Sequence, residues 1–220
     1  MKIDEREVLR YLGYKNQTID NNIISLIEAC SQEIIDISKE RFVYEIFDIS
    51  RENGQILLLD STLVLKGIDI KKHLINSNKC VVMAATLGIE VDSRIAYHSR
   101  FNITKGVIMD ACATTAIENL CDKLQTEIME KALINNFHIT SRYSPGYGDF
   151  SIDNQRDILN VLDTYKKIGL SVTQSSIMLP RKSVTAFIGL SETPTIKPTE
   201  KCLKCKNRNC DFRKDGRYCV

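Results

Sequence analysis

The stretch SRYSPGYGDF, at Ser141–Phe150, lies between two segments with helical patterns and concentrates unusual residues. Arg142 carries a permanent positive charge on a planar group that suits a carboxylate or a phosphate. Pro145 fixes its own backbone and favours an extended conformation for Ser144, while glycine lets a ligand come close to the main chain. The stretch therefore predicts a loop that holds a small charged ligand. It is equally compatible with an ordinary Pro-Gly turn in which Arg142 is solvated.

The segments on either side of this stretch both have the apolar spacing of helices. Lys105–Ala132 is predicted to be a long helix, with Glu118 among the residues that face water. Asp153–Ile168 is predicted to be a second helix that ends at Gly169, a residue type common at helix C-termini. The apolar stripe of the long helix is Met109, Cys112, Ala113, Ala116, Leu120, Leu124 and Ile128.

The rest of the chain mixes helical and strand patterns without a regular alternation, which favours the α+β class. We expect one domain at residues 1–193, followed by a linker and a basic cysteine-rich tail at residues 194–220. Further helices are predicted at Asp4–Tyr14, Asn21–Lys39, Asp69–Asn76 and Glu90–Arg100. Strands are predicted at Arg41–Ile49, Gln55–Asp60, Lys79–Thr86 and Ser183–Leu190.

The composition is that of a soluble protein with an apolar core. Apolar residues make up 43% and charged residues 26% of the 220 residues, and the net charge is only +2, so no strong overall charge indicates nucleic acid or membrane. The first residues are charged and lack the apolar segment of a signal peptide. No apolar run is long enough to cross a bilayer. We therefore expect a cytoplasmic location and no contact with a membrane.

The eight cysteines fall into two groups. Four lie singly in apolar segments, where buried, reduced thiols are expected: Cys30, Cys80, Cys112 and Cys121. The other four crowd into the end of the chain with the spacing Cys-x2-Cys-x4-Cys-x8-Cys: Cys202, Cys205, Cys210 and Cys219. Four thiolates suit either zinc or an iron–sulfur cluster, so the tail is predicted to bind one of these metals. Free or redox-active thiols are the alternative.

The cysteine tail is also basic. From Lys197 onward, eight basic and three acidic residues give it a formal charge of +5, which leaves −3 on the preceding residues. Such a module can attract an acidic redox protein, for example flavodoxin or ferredoxin, although a solvated tail explains the charge equally well. Phe212 and Tyr218 are the tail's only aromatic residues, and this scarcity argues against binding of nucleic acid by base stacking.

General sequence signatures of catalysis are lacking. There is no Rossmann glycine fingerprint, no phosphate-binding Walker loop and no HExxH zinc motif. His73, His98 and His138 are scattered along the chain, so we nominate no catalytic residue.

Two motifs together carry a family resemblance. Arg142–Tyr147 resembles the Arg-x-x-Pro-Gly-Tyr loop of the activation domain of cobalamin-dependent methionine synthase. Met178–Ala186 is similar to the Pro-x-x-Ser-Val-Ser/Thr strand of the same family. The order of elements agrees over residues 105 to 190, whereas residues 1 to 104 fit the family more loosely, as in its shorter, stand-alone relatives.

The resemblance implies a fold, a ligand and a set of contacts. The fold would be a C-shaped α+β domain with a twisted antiparallel sheet flanked by helices. The ligand would be S-adenosylmethionine, which donates its methyl group when oxidised cob(II)alamin is reductively reactivated. Arg142 would pair with the carboxylate of the ligand, and the loop residues Ser144, Pro145 and Gly146 would hold its amino-acid end. Tyr147 would lie beside the sulfonium and the corrin ring.

The resemblance also implies a partner, because the chain shows no cobalamin-binding module of its own. It would act in trans on the cobalamin of a separate corrinoid methionine synthase or methyltransferase. The alternative function is a redox or interaction module in which the C-terminal cysteine cluster binds zinc or an iron–sulfur cluster.

Overall fold

The computed structural model describes residues 1–15 and 17–194. Its helices are α1 (Glu5–Tyr11), α2 (Asn21–Ile37), α3 (Ile68–His73), α4 (Ile89–Phe101), α5 (Ile103–Ile134), α6 (Gln155–Val161) and α7 (Thr164–Ile168). Its strands are β1 (Arg41–Glu52), β2 (Gln55–Leu58), β3 (Val64–Leu65), β4 (Lys79–Thr86), β5 (His138–Ile139), β6 (Ser171–Val172), β7 (Met178–Leu179) and β8 (Ser183–Ser191).

Six of the strands form one antiparallel sheet in the order β3-β2-β1-β4-β8-β5. Strand β4 lies between β1 and β8, and its whole length pairs with β8, from Lys79 opposite Leu190 to Thr86 opposite Ser183. Strands β6 and β7 form a separate hairpin. Helices together with an antiparallel sheet confirm the α+β class.

Both faces of the sheet are covered, which explains why β4 is apolar at nearly every position. Alternate residues of a strand point to opposite faces. Val81, Met83 and Ala85 pack into a core with residues of α1, α2 and α5. Cys80, Val82 and Ala84 pack into a second core with residues of α3, α6 and α7. Phe150, from the stretch at Ser141–Phe150, is buried in the second core.

Most of the predicted elements are confirmed, with ends shifted by a few residues. The long helix is α5, which begins after Asn102; the side chain of Asn102 accepts a hydrogen bond from the Lys105 amide at 3.0 Å and caps the helix. The prediction of one helix at Asp153–Ile168 is wrong. The chain breaks between α6 and α7 because Asp163 takes a left-handed backbone conformation, with φ of 48°, which a helix cannot contain.

Two further features of the described residues bear on the sequence predictions. The cysteines Cys30, Cys80, Cys112 and Cys121 are buried and free, as expected. Although α5 has 32 residues, polar side chains interrupt its apolar stripe, and none of the helices in the described part of the chain could cross a membrane.

Candidate functional site

The stretch Ser141–Phe150 begins as an extension of the central sheet. Tyr143 and Phe187 of β8 exchange two backbone hydrogen bonds, of 3.0 and 2.9 Å, and so form an isolated antiparallel bridge. At the other end of the stretch, the buried ring of Phe150 packs edge-on against the ring of Phe187, with centroids 5.5 Å apart. Both ends are therefore fixed to the same residue of β8, and the residues between them form a closed loop, called here the ligand loop.

Hydrogen bonds within the ligand loop hold its turn. The Gly146 amide donates to the Phe150 carbonyl at 2.8 Å, and the Phe150 amide donates to the Tyr147 carbonyl at 3.1 Å. The Tyr143 hydroxyl donates to the same Tyr147 carbonyl at 3.1 Å. Gly148 has φ of 54°, and a Cβ atom there would lie 2.3 Å from Asp69 Oδ2, so the loop requires glycine at this position.

Helix α3 supports the loop from the side. The Asp149 carboxylate accepts hydrogen bonds from the amides of Asp69 and Ile68, at 3.0 and 2.6 Å, and these bonds lower the pKa of Asp149. His73 stacks on Tyr143 with ring centroids 5.0 Å apart, and its Nε2 lies 2.9 Å from the hydroxyl of Thr140. The loop is thus positioned by contacts with α3 as well as with β8.

Arg142 contacts the long helix α5. Its Nη2 lies 2.9 Å from Glu118 Oε2 and 2.9 Å from Asp122 Oδ1, both on α5. The Arg142 side chain is only 17% exposed. Its other terminal nitrogen, Nη1, is buried and has no hydrogen-bond partner within the described residues. Arg142 is therefore not the solvated side chain of an ordinary turn.

A cavity of about 240 Å³ opens between the ligand loop, α5 and β8. Three of the predicted site residues, Arg142, Ser144 and Tyr147, line it. Pro145 is buried and Gly146 is exposed, and both shape the turn without lining the cavity. The other lining residues include Glu118, Gln125 and Val184. The cavity thus combines a guanidinium, a carboxylate, hydroxyl groups and an aromatic ring, which are the groups needed to hold a zwitterionic ligand.

Sequence reasoning missed the two acidic residues beside Arg142. Glu118 was expected to face water, but its side chain is 38% exposed and contacts the guanidinium. Asp122 lies one helical turn further along α5 and makes the second contact. The i,i+4 spacing of the two acids placed them on one face of the helix, but nothing in the local sequence indicated that Arg142 would meet that face.

A second cavity, of about 290 Å³, lies between β1 and the C-terminal part of α5. Its lining is largely apolar, with Lys79 and Lys131 among the residues around it. Lys79 is paired with Asp48 at 2.6 Å and Lys131 with Glu127 at 2.6 Å. Because both ammonium groups are already neutralised, this cavity is a poorer candidate for a charged ligand than the one beside Arg142.

The predicted metal site cannot be located on the structure, because Cys202, Cys205, Cys210 and Cys219 lie outside the described residues. Within residues 1–15 and 17–194, no three histidine, cysteine or acidic side chains come together as a metal site would require. Binding of zinc or of an iron–sulfur cluster by the tail stays a prediction.

The fold and the site define the class of the protein: an α+β domain in which the loop at residues 143–150 is fixed to strand β8 of the sheet and lies beside a long helix. The chain belongs to the family described as vitamin B12 dependent methionine synthase, activation domain, whose model matches residues 71–197. That range includes the whole ligand loop and Met178–Ala186. Both motifs on which the resemblance rested therefore lie inside the matched region.

The fold agrees with that of a solved structure. The structure described as the MetH reactivation domain bound to AdoHcy superposes with a TM-score of 0.62, at 15% identity, over 86% of this chain and 70% of that chain. At this identity the likeness shows a shared fold. No curated protein matched the chain.

Proposed function

We propose that this chain binds S-adenosylmethionine in the cavity beside Arg142 and presents its methyl group for the reductive reactivation of cobalamin on a separate corrinoid methionine synthase or methyltransferase. Membership of the activation-domain family supports the reaction. The structural relative carries AdoHcy, the demethylated form of this ligand, which supports the ligand class. The observation that carries the proposal is the position of Arg142, which is largely buried and lines the cavity.

Arg142 is the group that would bind the carboxylate of the ligand. A buried donor without a partner costs roughly 1–3 kcal/mol, and more when it is charged, so the unpaired Nη1 favours a state in which an acceptor reaches it. Nη1 is covered by protein atoms, so the ligand must displace neighbouring side chains to contact it. Before the ligand binds, the contacts of Glu118 and Asp122 with Nη2 hold the end of the Arg142 side chain beside the cavity.

The size of the cavity decides how much of the ligand it encloses. Pockets that enclose a whole drug-sized ligand have volumes of roughly 300–1,000 Å³, and this one has about 240 Å³. We therefore place the amino-acid end and the sulfonium inside, and the nucleoside at the open side. Tyr147, which is 66% exposed and lines the cavity, is available to stack beside the sulfonium cation.

The corrinoid of the partner supplies the nucleophile that accepts the methyl group. The work of this chain is to orient the sulfonium and to exclude water from it, because a fixed geometry removes much of the entropic cost of bringing two reactants together. No side chain needs to act as an acid or a base. Electrons would come from an acidic redox protein such as flavodoxin or ferredoxin, which the basic tail would attract.

The test is calorimetric titration of S-adenosylmethionine and, separately, AdoHcy into the purified protein and its variants. Arg142→Ala should weaken S-adenosylmethionine binding by at least tenfold, about 1.4 kcal/mol. Arg142→Lys should restore only part of the affinity, since a lysine keeps the charge but loses the planar fork. Arg156→Ala removes an exposed arginine of α6 outside the cavity and should leave binding unchanged. Equal affinity of the Arg142→Ala variant and the unmodified protein would contradict the assignment of the site.

A further inference from the structure

The outward face of helix α4 carries a stripe of apolar side chains. Ile89, Tyr97 and Phe101 are 54%, 55% and 76% exposed. With the exposed Ser93 they follow one another at four-residue steps, which places them on one side of the helix. The rings of Tyr97 and Phe101 pack together, with centroids 4.9 Å apart. A surface helix normally presents polar side chains to solvent, so this stripe requires an explanation.

Polar side chains of α4 make contacts within the chain. The carboxylate of Asp92 accepts a hydrogen bond from the Arg181 amide at 2.5 Å. Arg94 and His98 both contact the carboxylate of Glu33 on α2, at 2.7 and 3.2 Å. These contacts fix the rotation of α4 about its own axis, and they leave the apolar stripe on the outside.

The apolar surface continues onto the start of α5, where Ile103 and Val107 are 75% and 55% exposed. The stripe and these two residues are called here the α4 patch. Its five large apolar side chains expose on the order of 500 Å². A standard protein interface buries about 800 Å² on each partner, and homodimer interfaces are about 65% apolar, which also requires about 500 Å² of apolar surface. The α4 patch therefore has the apolar area that a homodimer needs.

We propose that the α4 patch is the contact surface of a homodimer, in which α4 packs antiparallel against α4 of a second copy. The inference goes beyond the proposed function and does not depend on it. In a two-fold dimer the same patch is used by both copies. The axis would pass at the level of Ile95, the middle of the stripe. Ile89 would then face Phe101 of the second copy, and the small Ser93 would face Tyr97 of the second copy.

The shape of this surface is complementary to itself. An open hollow of about 680 Å³ lies beside the first half of α4, with Ile37, Ile89 and Ser93 among its lining residues. Phe101, the most exposed side chain of the patch, stands at the other end of the helix, about 18 Å from Ile89 along its axis. Antiparallel packing places the Phe101 ring of each copy over the hollow of the other. A protruding ring and an apolar hollow on one surface favour a second copy as the occupant.

The charges at the two ends of α4 favour the same arrangement. Glu90 contacts Lys39 of its own chain and stays 40% exposed, and Arg100 is exposed in the last turn. The proposed axis places Glu90 of each copy opposite Arg100 of the other, so the contact contains two pairs of opposite charges. Parallel packing would place Glu90 beside Glu90 and Arg100 beside Arg100. Antiparallel packing also brings the ends of the two helix dipoles into favourable contact.

The dimer would leave the cavity beside Arg142 open. Glu118, the first α5 residue that lines this cavity, lies about 22 Å along the helix from Ile103. Each copy could therefore bind a ligand and a partner while dimerised. The oligomeric state can be measured without either of them, so its outcome does not depend on S-adenosylmethionine binding.

The first experiment is analytical ultracentrifugation of the full chain over a range of protein concentrations. We expect a reversible dimer. Phe101→Glu should raise the dissociation constant of the dimer by at least about tenfold, because it would bury a carboxylate against apolar surface. Ile134→Glu is the matched control, since Ile134 is 81% exposed at the opposite end of α5, and it should leave dimerisation unchanged. Circular dichroism checks that both variants are folded.

The second experiment tests the antiparallel arrangement by charge reversal. Glu90→Arg and Arg100→Glu should each weaken the dimer by about threefold or more, because each variant brings like charges together twice. A mixture of the two variants should form dimers again, since every facing pair is then of opposite charge.

Three outcomes would overturn the inference. The unmodified protein could stay monomeric at every concentration, which would leave the α4 patch to a different partner. A dimer that survives Phe101→Glu would show that the two copies meet elsewhere. If the mixture of Glu90→Arg and Arg100→Glu dimerises no better than either variant alone, the antiparallel packing of α4 is wrong.

Discussion

Replacement of Gly148 by alanine tests whether the ligand loop is held by the contacts seen in the structure. Gly148 has φ of 54°, in the left-handed region, where an alanine costs roughly 1–2 kcal/mol. Its added Cβ would also lie 2.3 Å from Asp69 Oδ2 and 2.9 Å from the Tyr143 hydroxyl, closer than atoms can approach. Asp69 is half exposed and can turn away, but the Tyr143 hydroxyl is bonded to the Tyr147 carbonyl.

The expected loss of stability in Gly148→Ala is the sum of the backbone cost and the cost of the displaced hydrogen bond. Losing the hydrogen bond between Tyr143 and Tyr147 costs about 1 kcal/mol, so Gly148→Ala should lower the free energy of unfolding by about 2–3 kcal/mol. Gly54→Ala is the matched control, since Gly54 also has a positive φ, of 71°, but a Cβ atom added there would meet no neighbouring atom within 4 Å. The control should lose only the backbone part, roughly 1–2 kcal/mol.

Two measurements check this reasoning. Urea denaturation of both variants gives the free energies of unfolding, and calorimetry gives the affinity for S-adenosylmethionine. The Gly148→Ala variant should be less stable than the Gly54→Ala variant by about 1 kcal/mol, and should bind at least about fivefold more weakly because its loop is displaced. Equal stability of the two variants, together with unchanged affinity in Gly148→Ala, would refute the account of the loop.

Two further predictions concern the helical layer and the thiols. Burial opposes ionisation of Glu33, but hydrogen bonds from Lys105 and His98 lower its pKa below the usual 4.5. Glu33→Gln should therefore lower the free energy of unfolding by about 1–2 kcal/mol at neutral pH. The difference in stability between the variant and the unmodified protein should shrink as the pH falls below 4.5, because the carboxylate then becomes protonated. Urea denaturation at several pH values, with the exposed Glu40→Gln as control, measures this. Burial raises the pKa of Cys121 to about 12 and that of Cys30 to about 11. Alkylation at pH 8 followed by mass spectrometry should therefore find both thiols unmodified until the protein unfolds. Labelling of either thiol in the folded protein would contradict its burial.

Local pattern was sufficient for most of the elements. The apolar run at residues 80–85 predicted β4 at Lys79–Thr86 with its observed ends, because a strand buried on both faces needs apolar residues at nearly every position. The apolar stripe between Met109 and Ile128 predicted α5, because that spacing follows the helical repeat. The break at Asp163 was missed, since the apolar spacing continues from α6 into α7 and only a backbone conformation separates them.

The sequence by itself therefore determined the α+β class, and it indicated the position of the ligand loop and Arg142 as a candidate contact for a charged ligand. Each of these depends on neighbouring residues: the repeat of apolar side chains, the restricted backbone of Pro145 and the fixed charge of the guanidinium. The resemblance of two motifs then indicated the family that the match over residues 71–197 shows.

Only the tertiary structure decided how distant segments meet. Strand β8 pairs with β4 across roughly a hundred residues of intervening chain, and Asp149 caps the amides of Ile68 and Asp69 from 80 residues away. The two acids that surround Arg142 belong to a helix 20 or more residues earlier. Such contacts are set by which apolar faces can be buried together, and the charge balance of the site follows from that packing and not from local sequence.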